Sequence, residues 1–541
     1  MTLTALSPRR FWFVVVAATL AAALLRLPGL RHQALWEDEG YSMLLAHRSP
    51  AAIIEGVRQD VHPPGYYLLL HGWMGLFGCS VVACRSLSVL AGVATVPLVA
   101  LLGAALAGRT AGAVAALLLA FSPLHMYYSQ EIRMYSLVTA LCALSAWALN
   151  RSEGPHASLR PFAGEASGPW WPGRGKAVWP PLALSVLAAA AACWTHYIAW
   201  LWCLAQFGGL CLLGQGRRGV ARALLGLGGV LVLTAPWLPS LVAQQQHLHH
   251  ILDRPHSPGR VVASYLVLLV GYAQTRSAFH FGGPIAKAAV ALGGLLLGAF
   301  AALGWRSLLR SHRPAAVWLA CLVVIPPLAL YLFSIREGVF LTYVLLPVCV
   351  PLLIAVAAGC AALGPRVATA AAAGVLLVSS ISLAACYTLP MCNRGTALRE
   401  VADLLRDRVR PGDVVCHEDA TTQLPVDAYL MAAQGEPPRS LLVQPSRIAP
   451  GWDYWRPTPS PDRVFPWLAP HLRGPEPRNL WFVAYTTPYG EAMVAQIARH
   501  LGPPAERKYF APSLQTGPLN LVRWRLGDRR PPPPTNARDR S

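Results

Sequence analysis

The chain has 541 residues, of which 55% are hydrophobic and 13% charged, with a mean hydropathy of +0.42. An ordinary soluble domain carries about 25% charged residues, and recurrent apolar runs of about 20 residues match the ~30 Å hydrocarbon core of a bilayer, so a purely soluble protein is excluded. The formal charge of +20 does not point to nucleic acid, because the arginines sit in short loops between apolar runs and in the C-terminal part, as orientation signals and anionic-lipid contacts do.

In chain order, Arg9-Arg10 precede an apolar run from Phe11 that continues through Arg26 to Gly29 with no small-residue cleavage site, which reads as a retained first span. Further spans are expected at 85–107, 111–128, 134–150, 179–196, 198–214, 223–243, 283–303, 314–334, 340–360 and 367–388, about eleven in all by length and hydropathy. Loops carrying Arg9, Arg109, Arg151, Arg174, Lys176, Arg217, Arg222, Arg306, Arg310 and Arg366 hold few acids. The positive-inside rule makes them cytoplasmic. Residues 31–84 then form an outer loop, with short amphipathic helices near 40–60 lying on the membrane and an interfacial helix at Tyr66–Phe77. Residues 244–282 form a second outer loop.

Beyond Leu389 the composition changes. Strands are expected at Asp413–His417, Ser440–Gln444, Leu480–Tyr485 and Leu519–Leu526, with helices at 397–409, 462–472 and 489–501. This alternation describes a small α/β domain over 393–527. It has no glycine-rich phosphate loop. The residues 528–541 form a Pro-rich tail with the composition of disorder. The division is therefore a membrane domain over 1–392, an extracytoplasmic α/β domain and the tail. Twelve cysteines include no CxxC pair. Two of Cys386, Cys392 and Cys416 could form a disulfide in an extracytoplasmic compartment, or all could be free thiols.

Three constellations carry chemistry. Glu37-Asp38-Glu39 follows the first span. It reads either as a solvated acidic turn or as a general base for an incoming hydroxyl. Asp60-Val61-His62-Pro63-Pro64 precedes the Tyr66–Phe77 helix, and its prolines fix a rigid approach that holds Asp60 and His62; a plain helix start explains it as well. Ser122-Pro123-Leu124-His125-Met126-Tyr127-Tyr128-Ser129-Gln130-Glu131-Ile132-Arg133-Met134-Tyr135 closes the third span, with Gln130 and Arg133 expected three apart on one helical face. An interfacial aromatic belt accounts for the tyrosines alone. Arg85 and Arg336 open or close spans at the outer face and either snorkel or, with Arg133 and His62, supply cations to a phosphate.

The order of an acidic pair after span one, His-Pro-Pro, an arginine at a span start and Ser-Pro…Tyr-Ser-Gln-Glu-Ile-Arg-Met-Tyr resembles the GT-C glycosyltransferases. The likeness is to the protein O-mannosyltransferase and aminoarabinose-transferase group and its bacterial relatives. It covers residues 10–150 well and the later spans loosely. The resemblance implies a GT-C-like, α-helical polytopic membrane protein that transfers a sugar from a polyprenyl-phosphate donor by an inverting single displacement. The sugar would be mannose or another hexose or pentose. Asp38 and Glu39 would be the catalytic acidic pair, with Asp38 the base. His62, Arg85 and Arg133 would hold the lipid phosphate, and Glu39, Asp60, Tyr128, Gln130 and Glu131 would shape the sugar or acceptor pocket. Two departures stand out. His-Pro-Pro is followed by Gly65-Tyr66-Tyr67 in place of the mannosyltransferases' Leu-Gly-Lys, and Thr342-Tyr343 replaces a late Arg-Tyr, with Arg336 the arginine available to stand in. No cofactor is implied with certainty; Glu37, Asp38, Glu39 and Asp60 could bind one divalent cation. The implied partners are the donor, membrane lipid and an acceptor glycan, lipid or protein, with no nucleic acid. The implied location is the bacterial inner membrane, with a cytoplasmic N-terminus. The rival readings are a lipid or glycan transporter and an assembly subunit whose C-terminal domain binds a partner.

Overall fold

A computed structural model describes the chain except residues 1–5, 153–178, 213–215, 249–256, 272–283, 338–339, 364–368, 371, 375, 378, 382–383, 385–395, 436–439, 444–460, 462–463, 473–478, 512–517 and 527–541. The Pro-rich tail, Cys386, Cys392 and part of the last expected span lie outside the described residues. The chain divides into two compact units: residues 1–30, 53–76 and 82–389, and residues 31–52, 77–81 and 390–541.

The first unit is helical. Among the described residues six helices are long and apolar enough to cross a bilayer: Pro8–Arg26, Val81–Ala120, Gly219–Gln244, Val290–Ser311, Arg313–Ile335 and Thr342–Ala362. Trp179–Thr195, Ile198–Leu212 and Pro258–Val270 are shorter apolar helices. Val81–Ala120 is 40 residues long, about 60 Å at 1.5 Å per residue and twice what a bilayer needs. The chain reverses inside it at Gly108, whose φ of 88° and ψ of 161° suit glycine alone. This accounts for the two spans expected at 85–107 and 111–128. The second half ends at Ala120, not at residue 128. Ser122 and Pro123 start a separate helix, Pro123–Ser129, with the Ser122 hydroxyl accepting from the His125 amide. Small residues let spans touch: a methyl on Gly304 or Gly359 would strike backbone of the facing helix.

The second unit contains a five-stranded sheet in the order β2-β1-β3-β5-β4. The strands are β1 (Val414–His417), β2 (Ser440–Leu442), β3 (Asn479–Tyr485), β4 (Glu506–Phe510) and β5 (Leu519–Arg525). β2, β1 and β3 are parallel, and β5 runs antiparallel to both β3 and β4. The residues of β3 alternate between two cores. Leu480, Phe482 and Ala484 pack with Val464, Leu468, Met493 and Ile497. Trp481 and Val483 pack with Leu398, Val401, Leu405, Val426 and Leu430. Helices therefore cover both faces, as an apolar parallel strand requires. The sequence reading passed over β4 and helix Ala420–Gln434. Cys416 is buried, and among the described residues it has no disulfide partner.

The acidic helix Glu37–Ala46 belongs to this second unit. Its residues Glu39–Ala46 are all buried. Its inner face meets helix Ala420–Gln434, where a methyl on Gly40 would stand 2.5 Å from the Leu424 carbonyl.

Candidate functional site

In the membrane unit the loop between helices Pro50–Arg58 and Gly65–Phe77 holds Asp60 and His62. His62 Nδ1 lies 3.1 Å from Asp60 Oδ2, and Arg133 Nη2 lies 3.4 Å from His62 Nε2. A guanidinium only donates, so this arrangement asks Nε2 to accept and Nδ1 to carry the proton toward Asp60. Burial pushes the Asp60 carboxyl up, but the neighbouring His62 imidazole, the Val61 amide and Arg133 together hold it below its ordinary 3.8. Asp60 is thus a carboxylate that orients the imidazole. The two side chains keep 18% and 17% of their surface exposed, so the pair remains reachable from solvent.

Other side chains fix this pair. The Gln244 amide donates to the Val57 and His62 carbonyls, and Tyr197 donates to the Gln244 carbonyl oxygen. The His196 ring lies 5.7 Å from that of His62 and 5.8 Å from that of Tyr135. Arg133 sits 5.8 Å over the Tyr135 ring, a cation–π distance. Tyr128, Tyr135 and Tyr343 form an aromatic cluster with centroids 5.1 to 5.7 Å apart. His196, Tyr197 and Gln244 were missed from the sequence. Their signal was Thr195-His196-Tyr197, a polar break between two apolar runs.

Gln130 and Arg133 do not share a helical face as expected. Residues 130–134 form a bend between helices Pro123–Ser129 and Tyr135–Ser152. Gln130 Nε2 donates to the Arg26 carbonyl at 2.8 Å, closing the end of the first span, while Arg133 faces His62. Glu131 is 2% exposed. Arg85, 1% exposed, donates to the Leu30 carbonyl at 3.0 Å. Arg26, not singled out from sequence, donates to the Ala22 and Ala120 carbonyls and lies 3.0 Å from His125 Nδ1. Arg336 lies in the last turn of helix Arg313–Glu337, and its side chain is outside the described residues.

In the second unit Glu37, Asp38 and Glu39 occupy the first turn of their helix. The positive end of a helix dipole favours carboxylates there, which explains why three adjacent acids are tolerated. Glu37 and Asp38 are partly exposed, whereas Glu39 is fully buried. Tyr485, at the end of β3, is pushed well up by burial and by the charges of Asp419, Glu37 and Glu418. Among the described residues no three His, Cys, Asp or Glu side chains group as a metal-ligand set.

The pattern of the dolichyl-phosphate-mannose-protein mannosyltransferase family matches residues 61–156, the stretch that holds His62, Arg85, Tyr128, Gln130, Arg133 and Tyr135. No curated protein matches the chain by sequence. Among solved structures it is similar to ArnT from Cupriavidus metallidurans in the apo state, at TM-score 0.62 and 15% identity, covering 94% of this chain and 97% of that one. The same ArnT bound to undecaprenyl phosphate gives TM-score 0.56 at 14% identity over 95% and 98%. The oligosaccharyltransferase AglB from Archaeoglobus fulgidus, with an inhibitory peptide and a dolichol-phosphate, gives 0.53 at 11% identity over 93% and 73%. The chain is a multi-pass membrane protein whose fold, over nearly its whole length, resembles that of ArnT, and whose residues 61–156 match the pattern of the mannosyltransferase family.

Proposed function

We propose that the protein is a glycosyltransferase that moves a sugar from a polyprenyl-phosphate carrier to an acceptor hydroxyl on the outer face of a bacterial inner membrane. The observation that carries this reading is the Asp60–His62–Arg133 chain, reachable from solvent, whose His62 and Arg133 fall inside the stretch that matches the mannosyltransferase family. Cations placed beside a tyrosine cluster suit a sugar phosphate, whose anion they neutralise as it leaves. The undecaprenyl phosphate in ArnT and the dolichol-phosphate in AglB support a lipid-phosphate carrier here.

In the proposed step the Asp38 carboxylate takes the proton of the acceptor hydroxyl. That oxygen forms a bond to the anomeric carbon, and the bond from this carbon to the phosphate oxygen breaks. The electron pair leaves with the polyprenyl phosphate, and the anomeric configuration inverts. Arg133 and Arg85, with the His62 imidazole, receive the phosphate; Arg336 is a further cation for the same task. Asp60 holds the imidazole, while Glu39, Tyr128, Gln130 and Glu131 shape the pocket. Loop charge supports an extracytoplasmic position for residues 31–84 and for the α/β domain (393–527).

A deletion strain tests this directly. Mass analysis of its lipid extract is expected to show an accumulated polyprenyl-phosphate sugar that disappears on complementation with the wild type. Complementation by Asp38→Asn is expected to leave it accumulated. Identical lipid profiles with and without the protein would remove the donor from the proposal.

A further inference from the structure

The acidic helix Glu37–Ala46 lies far in sequence from the α/β domain over 393–527, yet it is built into the same unit. Three contacts anchor it. The Leu35 amide donates to the Tyr429 hydroxyl at 2.7 Å. Arg399 Nη2 donates to the Arg31 and Gln33 carbonyls at 3.0 and 3.4 Å, and its guanidinium lies 5.6 Å over the Tyr429 ring. Gly40 sits flush on helix Ala420–Gln434: an added Cβ would stand 2.5 Å from the Leu424 carbonyl carbon and oxygen and 2.8 Å from the Pro425 nitrogen. All three are backbone atoms, which cannot swing aside. Gly40 follows Asp38 by two residues, and Leu35 precedes it by three.

We infer that the α/β domain is the positioning platform of the transferase, and that Tyr429, Arg399 and Gly40 are positioning residues that set where the Asp38 carboxylate points. The inference rests on the proposed role of Asp38 as base. A base must lie within hydrogen-bond reach of the proton it removes, and a displacement of about 1 Å costs about a hundredfold in rate. A carboxylate on the first turn of a short helix has no rigidity of its own, because isolated helices below about 12–15 residues are marginal. The ten residues of Glu37–Ala46 gain theirs from Tyr429, Arg399 and the Leu424–Pro425 backbone. The C-terminal domain is thereby part of the catalytic apparatus without contributing a group to the chemistry.

The test uses the full-length protein in bilayer nanodiscs, with the lipid-linked sugar fraction purified from the deletion strain as donor. Tyr429→Phe and Gly40→Val are each compared with wild type and with Asp38→Asn. Tyr429→Phe removes one hydroxyl and keeps the ring, so it stays informative even where Gly40→Val misfolds. The expected result is a fall in kcat of about tenfold for Tyr429→Phe and up to about a hundredfold for Gly40→Val. Donor KM stays unchanged, and amide exchange over residues 35–46 becomes faster. A general loss of folding would lower the number of donor-binding sites in step with turnover, so kcat is referred to sites counted by donor titration. Wild-type kcat in Tyr429→Phe despite faster exchange over 35–46 would overturn the platform. Wild-type turnover in Asp38→Asn would instead overturn the base assignment, and the platform with it.

Discussion

The membrane unit and the α/β unit both bury charge, and they stabilise it by different means. In the membrane unit Arg26 and Arg85 donate to main-chain carbonyls at the ends of helices, and Gln130 does the same. Hydrocarbon offers no hydrogen bonds, so each polar group must find a protein partner, and helix ends are where carbonyls are free to accept. In the α/β unit His417 is fully buried, and among the described residues neither ring nitrogen has a hydrogen-bond partner. Asp427 Oδ1, 4.0 Å from His417 Nε2, is likewise without one. There burial changes the protonation state instead: the His417 pKa is pushed down to about 3 and that of Asp427 up to about 7. Arg26, Arg85 and Gln130 of the first unit therefore close helix ends. His417 and Asp427 in the second unit set its response to pH.

The comparison is tested most severely by Asp38→Asn. Loss of a general base typically costs 10²–10⁴-fold, and transfer measured as donor consumption is expected to fall by that amount while the donor still binds. A variant within a few-fold of wild type would move the base elsewhere. Arg133→Ala comes next. A charge-assisted hydrogen bond is worth about 1.5–3 kcal/mol, so donor affinity is expected to weaken by about 10- to 100-fold. Arg133→Lys recovers only part of this, because an ammonium is a point charge without the planar fork. Equal affinities for Ala and Lys would exclude a phosphate contact at this position. Asp60→Asn is milder, since it keeps the shape and removes only the charge that orients His62. Its expected effect is a loss of affinity smaller than that of Arg133→Ala, read by the same binding titration; a larger loss would give Asp60 a direct part in binding.

These variants also separate what is legible in the sequence from what is not. The helical membrane character was readable because a bilayer demands long apolar runs, although among the described residues six helices, not eleven, have the length and hydropathy to cross one; the Ser122-Pro123 signal was readable as a helix start. It was placed inside a span because the run of Leu and Ala before it gave no stop at Ala120. His62 and Arg133 could be named from sequence, but their mutual geometry depends on the bend at 130–134, which follows from packing. Strand β4 was missed because Glu506-Arg507-Lys508 carries three charges, a common protection of an edge strand. Helix Ala420–Gln434 had its signals in view: Asp419 caps its start, and Gly435, at φ 88°, closes it. The docking of the acidic helix was not legible at all. Leu35 and Tyr429 lie 394 residues apart, and neither residue type announces such a pairing.

The smallest expected effect on transfer belongs to the buried pair of the α/β unit, which bears on the other half of the comparison. Burial raises the Asp427 carboxyl from 3.8 to about 7, against the hydrogen bonds of Ser440 and Gln423. Burial likewise raises Glu418 from 4.5 to about 7, opposed by the Tyr485 amide and aided by Asp419. Between these ordinary values and pH 7 the folded unit keeps protons that the unfolded chain has released. Stability from these two groups therefore falls as pH rises through that window. His417 acts oppositely: lowered from 6.5 to about 3, it is neutral in the folded unit while the unfolded chain is protonated, so its contribution rises with pH up to 6.5. It offsets one of the two carboxyl slopes below pH 6.5 and none above. Asp427→Asn is expected to flatten the decline between pH 4 and 7, and His417→Leu to steepen it below 6.5. Transfer at neutral pH stays near wild type in the Asn variant. Hydrogen exchange at β1, followed against temperature across this pH range in the full-length protein, measures both slopes. A decline as steep in Asp427→Asn as in wild type would mean that this carboxyl is ionised in the folded unit and that the two units do not differ in how they bury charge.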